Sequence, residues 1–159
     1  MIQNRRFCIL AAALWWGSLS TVGFYVVPTL FAKLQPTALA GQTAAHLFSG
    51  QAWISVVCAL LLLIASRGRG RAVSDLATAA PSSAAAGWFA LVLGGMLLAL
   101  LSEFAISPRI VARDNLKLWH SVGTAFYLVQ WACAGLALWR LLPPTEPEAG
   151  SELRSQALQ

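Results

Sequence analysis

The chain has 159 residues, of which 58% are apolar and 11% charged, with a mean hydropathy of +0.66, whereas a soluble domain carries about 25% charged residues. That composition excludes a water-soluble globular enzyme. The net charge of +5 comes from basic residues that flank apolar runs instead of forming a stripe interleaved with aromatics, which excludes nucleic acid as a partner.

Residues 7–32, 34–66, 76–102 and 118–139 contain no Asp, Glu, Lys or Arg. Each stretch exceeds the roughly 20 apolar residues that a helix needs to cross a bilayer core. The expected architecture is an all-α membrane protein, a four-helix transmembrane bundle occupying residues 1–142. Its helices are expected at about 6–33, 37–66, 87–107 and 116–142, followed by a disordered polar tail over 143–159. With the N-terminus in the cytoplasm, seven basic residues fall on that side (Arg5, Arg6, Arg67, Arg69, Arg71, Arg140 and Arg154) against four outside (Lys33, Arg109, Arg113 and Lys117). The positive-inside rule therefore puts both ends in the cytoplasm of a bacterial inner membrane.

The first helix begins after Arg5-Arg6 and has about 26 uncharged residues, longer than the 7–15 of a secretory signal, so it reads as an uncleaved anchor. Pro28 near its outer end predicts a kink rather than a break. Gln35-Pro36-Thr37 is a turn, and the second helix opens with the polar residues Gln42, Thr43, His46, Ser49 and Gln51 before an aliphatic run. Arg67-Gly-Arg-Gly-Arg71 reads as a topology anchor at the start of a flexible loop. The third helix carries Gly94-Gly95, which permit close helix contact, and Pro143-Pro144 ends the fourth. Cys8, Cys58 and Cys133 lie in apolar helices without a CxxC spacing and read as small buried hydrophobes.

Shifting the chain by 80 positions superimposes Phe24, Pro28, Leu30, Ala32 and Lys33 on Phe104, Pro108, Ile110, Ala112 and Arg113. The simplest account is a duplicated helical hairpin, its halves related by an axis along the membrane normal. His46 stands 21 residues before Arg67 and His120 stands 20 before Arg140, which predicts imidazoles at equal depth.

Polar side chains fall on helical stripes: Ser18, Thr21 and Tyr25; Gln42, His46 and Ser49; His120, Thr124 and Tyr127, with Trp131 continuing the last. Stripes of this kind face protein, because polar groups exposed to lipid are costly. One reading is interhelical hydrogen bonding. Another is that two level histidines on the even-numbered helices, His46 and His120, ligate a b-type haem or a copper ion. Glu103 is the one carboxylate inside a span, about 22 Å from Trp88 and so roughly 7 Å outside the midplane of a 30 Å core. Such a group must be paired, protonated or wet. The expected polar cluster gathers Glu103, Tyr25, Gln42, Arg109 and Arg113, and the candidate partners of the carboxylate are His46, His120, Arg109 and Arg113. A proton or cation role and a purely structural ion pair both fit. No nucleophile-base set or phosphate cradle occurs in the sequence, so no catalytic residue is assigned and an enzyme is not expected.

The strings Ala13-Leu-Trp-Trp-Gly-Ser18, Val27-Pro-Thr-Leu-Phe-Ala32, Ala40-Gly41, His46-Leu-Phe48, Gln51-Ala-Trp53, Pro108-Arg109 and Leu118-Trp-His120 resemble the bacterial branch of the transmembrane-protein-205-like family over about residues 11–140. The resemblance implies a small four-helix membrane domain of unestablished activity, in a family whose eukaryotic members are linked to drug tolerance and membrane traffic. A more distant likeness, to the copper-resistance D and protoporphyrinogen-oxidase J groups, implies a haem or copper role for His120 and for His46. From the oxidase pattern the chain lacks the lysine after the late-helix histidine, where Val122 stands, and a histidine before Trp15. The function expected is that of an integral membrane protein acting through helix–helix association with itself or within a larger membrane complex. The alternative is haem b or copper binding in redox or cofactor handling.

Overall fold

The computed structural model describes residues 2–74, 83–112 and 115–142, and every regular element among them is helical. Helix α1 covers residues 2–33 as an α-helix over Ile2–Thr21, a π-turn over Val22–Val26 and a last α-helical piece over Val27–Lys33. Helix α2 covers Thr37–Ser74. Helix α3 covers residues 83–111 and repeats the pattern of α1, with an α-helix over Ser83–Leu101, a π-turn over Ser102–Ile106 and an α-helical end over Ser107–Val111. Helix α4 covers Leu116–Trp139. Within them, Arg5–Lys33, Thr37–Ser66, Ala86–Val111 and Leu116–Trp139 are long and apolar enough to cross a membrane.

Three boundaries differ from the sequence-based expectation. Helix α2 continues through Arg67-Gly-Arg-Gly-Arg71 to Ser74, where the sequence suggests a loop. A helix already formed gains one hydrogen bond for each residue it adds, and arginine is a good enough helix former to carry two glycines that cost about 1 kcal/mol each. Helix α3 extends beyond both expected ends, and α4 stops at Trp139 in a turn over residues 140–142. The loop around residues 75–82, Arg113 and the tail 143–159 lie outside the described residues.

Both π-turns have the same cause. Pro28 and Pro108 have no N–H to offer the carbonyl four residues earlier, and their rings crowd it. In each helix the turn before the proline widens, so that Val27 N–H reaches the carbonyl of Val22 and Ser107 N–H that of Ser102. The expected kink at Pro28 is thus a π-bulge inside a continuous helix. Its counterpart at Pro108 lies 80 residues further on, in the register of the sequence repeat.

The four helices form a ring in chain order. Each packs against two neighbours (α1·α2, α2·α3, α3·α4 and α4·α1), and neither diagonal pair of backbones comes into contact among the described residues. Trp15 of α1 fills the centre, fully buried. Its indole crosses to α3, where a Cβ on Gly95 would stand 2.7 Å from Cη2, so only glycine admits the ring. Around it, Cys8, Ala12, Leu19, Cys58, Leu62, Val92, Ala134 and Ala137 close an apolar core in the half of the bundle that carries the two chain ends. That end is clasped by Arg5, whose Nε and Nη2 donate to the carbonyl of Leu141 at 3.3 and 3.2 Å.

Candidate functional site

The polar groups concentrate in the other half, above Trp15. Two buried glutamines, Gln51 on α2 and Gln130 on α4, meet at one hydroxyl. Gln130 Nε2 donates to Ser55 Oγ at 2.9 Å, Gln51 Nε2 donates to Ser18 Oγ at 3.0 Å and more weakly to Ser55 Oγ at 3.4 Å. The two serine hydroxyls in turn donate to carbonyls of their own helices, those of Gln51 and Trp15. Each serine therefore accepts from an amide and donates to its backbone, a chain that ties α1, α2 and α4 together without charge. Three buried atoms complete this layer without a partner among the described residues: Gln51 Oε1, Trp15 Nε1 and Ser102 Oγ.

Further out, the two seams in which a π-turn faces an even-numbered helix repeat one arrangement. Phe24, in the middle of the first π-turn, meets Trp131 of α4 edge-on, with centroids 5.6 Å apart. Phe104, in the middle of the second, meets Trp53 of α2 edge-on at 6.4 Å. The preceding residue differs. On α1 it is Gly23, where a Cβ would be 2.5 Å from the ring of Tyr127, and that tyrosine donates to the carbonyl of Leu19 at 2.7 Å. On α3 it is Glu103, whose Oε1 accepts a 2.6 Å hydrogen bond from Ser49. Tyr127 and Ser49 are 78 residues apart, as are Trp131 and Trp53, so the tyrosine–glycine pair and the serine–glutamate pair occupy matching places.

That register redistributes the residues singled out by sequence. Glu103 is half-buried and is held by Ser49, not by a histidine or arginine among the described residues. Arg109 instead lies over the Trp119 ring, its guanidinium carbon 4.2 Å from the centroid, a cation–π contact that satisfies it on its own side of the bundle. Tyr25 is 71% exposed, and Gln42, His46 and His120 are exposed as well. His46 lies three residues before Ser49, and His120 seven before Tyr127. Their stripes turn to different neighbours, that of His46 toward α3 through Ser49 and that of His120 toward α1 through Tyr127. Thr21 and Thr124, exposed on the same stripes, return their hydroxyls to Gly17 and His120 carbonyls.

Sequence reasoning did not single out Ser55 and Gln130 as a pair, or Ser20, which accepts from Trp131 Nε1 at 2.9 Å. The available signal was the isolation of Gln130 in an otherwise apolar run.

Four apolar helices closed into a ring around a tryptophan, with a polar layer confined to one half, define a polytopic membrane-protein bundle. The chain belongs to the family described as a domain of unknown function, DUF4149, whose model matches residues 10–118. No curated protein and no solved structure matches it.

Proposed function

We propose that the protein is an association module of the bacterial inner membrane, both ends in the cytoplasm, which docks another membrane helix on the outer half of its α2·α3 seam. Glu103 is the contact that selects the partner. The observation that carries this reading is the carboxylate itself: half-buried at a seam, flanked by exposed Phe104 and Trp53, and accepting a single hydrogen bond from Ser49. A carboxylate has about four acceptor sites, and within a bilayer an ionisable group left so far from saturation requires a partner. The incoming helix would bring a basic or hydroxyl-bearing side chain to Glu103 and lay its apolar face on the two exposed rings. The likeness to the transmembrane-protein-205-like family is consistent with such a role and adds no chemistry to it.

A photo-crosslinking residue at Phe104 tests the proposal in intact membranes. A discrete protein adduct is expected, its mass distinguishing a second copy from another protein, and Glu103→Gln should abolish it while leaving the bundle folded. Labelling of lipid alone, or an adduct indifferent to Glu103→Gln, overturns the reading.

A further inference from the structure

Glu103 brings a second kind of acceptor to the α2·α3 seam besides its carboxylate. In a regular helix its backbone carbonyl would accept from the N–H of Ser107, but the π-turn sends that N–H to Ser102, and the next residue, Pro108, has none to give. The carbonyl is therefore left without a donor from its own helix. The same carbonyl is freed at Gly23, where Val27 N–H goes to Val22 and Pro28 follows, but no carboxylate accompanies it there. At Glu103 the freed carbonyl and a carboxylate held only by Ser49 belong to one half-buried residue.

No cation of this chain answers them among the described residues. Arg109, six residues further along α3, is stacked on Trp119. Lys33 is the last residue of α1 and Lys117 the second of α4, whereas Glu103 stands eight residues, or about 12 Å, inside the end of α3 at Val111. A second copy inserted with the same topology brings the same side chains to the same levels, and residues 7–32, 34–66, 76–102 and 118–139 offer it no basic residue.

Granted the docking on this seam, we infer that the incoming helix belongs to a different membrane protein and carries a lysine or arginine inside its span, level with Glu103. An ammonium has three donors and a guanidinium five, so either serves the open carboxylate oxygen and the freed carbonyl together and neutralises the charge. A hydroxyl, with one donor, does neither in full. A basic residue alone in the bilayer is as costly as a lone carboxylate, so pairing relieves both proteins at once.

The full chain is reconstituted in phosphatidylcholine vesicles with leucine–alanine transmembrane peptides that lack tryptophan, carry an acceptor dye and differ at one position level with Glu103, occupied by Lys, Ser or Leu. Energy transfer from the tryptophans of the protein reads association. The Lys peptide is expected to bind about tenfold more tightly than the Ser peptide, because hydrogen bonds to charged groups are the stronger class, and Glu103→Gln should erase that preference. Equal binding of the Lys and Ser peptides, or a preference that survives Glu103→Gln, overturns the inference. So does a Phe104 adduct that depends on Glu103 but consists of two copies of the chain, a result that leaves the docking itself in place. Labelling of lipid alone removes the docking and the inference together.

Discussion

The α1·α4 and α2·α3 seams share a π-turn, a phenylalanine at its centre and a tryptophan facing it, yet one is closed and the other is open. In the first, Tyr127 fills the space that Gly23 leaves and bonds to the backbone of the opposing helix, so its hydroxyl is satisfied within the bundle. In the second, a short serine meets a long glutamate, and the pair satisfies its geometry without exhausting the carboxylate. Equivalent places in the two halves have thus taken different tasks, one that consolidates the bundle and one that leaves an acceptor at its surface. Where a repeat keeps its frame and changes its chemistry, the changed position is the place to look for activity.

The largest effect that would sharpen this contrast is expected at Gly23. Replacing it with Ala puts a methyl group against the Tyr127 ring, and overpacking of this kind destabilises by about 1–3 kcal/mol; thermal unfolding in detergent should show a clear drop. An unchanged midpoint would mean that the closed seam is looser than described. Next come the two buried glutamines. Gln130→Leu and Gln51→Leu each remove an amide from the Ser55–Ser18 chain, and interhelical hydrogen bonds in membranes average about 0.6 kcal/mol, so a smaller loss is expected for each and less than additive loss for the double variant. Trp131→Ala and Trp53→Ala, corrected for lost area by cycles with Phe24→Ala and Phe104→Ala, should give coupling energies of about 0.5–1.5 kcal/mol, similar in the two seams. Dissimilar values would break the equivalence of the seams. The smallest effect is expected for Glu103→Gln, which keeps an acceptor for Ser49 and should leave the unfolding midpoint in place even as it removes the crosslinked adduct.

The spans were legible because charge is excluded from a bilayer whatever the packing, so composition alone locates them. The repeat was legible in the odd-numbered helices because proline leaves a mark in the sequence and dictates the π-turn at both places. In the even-numbered helices the repeat shows in the contacts, where Trp53 and Trp131 face the two π-turn phenylalanines, and no proline there marks it in the sequence. Glu103 was recognisable as the one carboxylate inside a span, but its partner was not, since a serine among many serines carries no signal of what it faces. Gly23 was invisible for the opposite reason: its meaning lies in the ring of Tyr127, more than a hundred residues away.

The way α1 is held also bears on how the chain is assembled. Its central indole rests on Gly95, its π-turn glycine receives Tyr127, and its first arginine grips the carbonyl of Leu141. All three partners are synthesised long after α1 has left the ribosome. The first helix can pair with α2 at once, but these three contacts wait, and the ring locks only when the last segment is inserted.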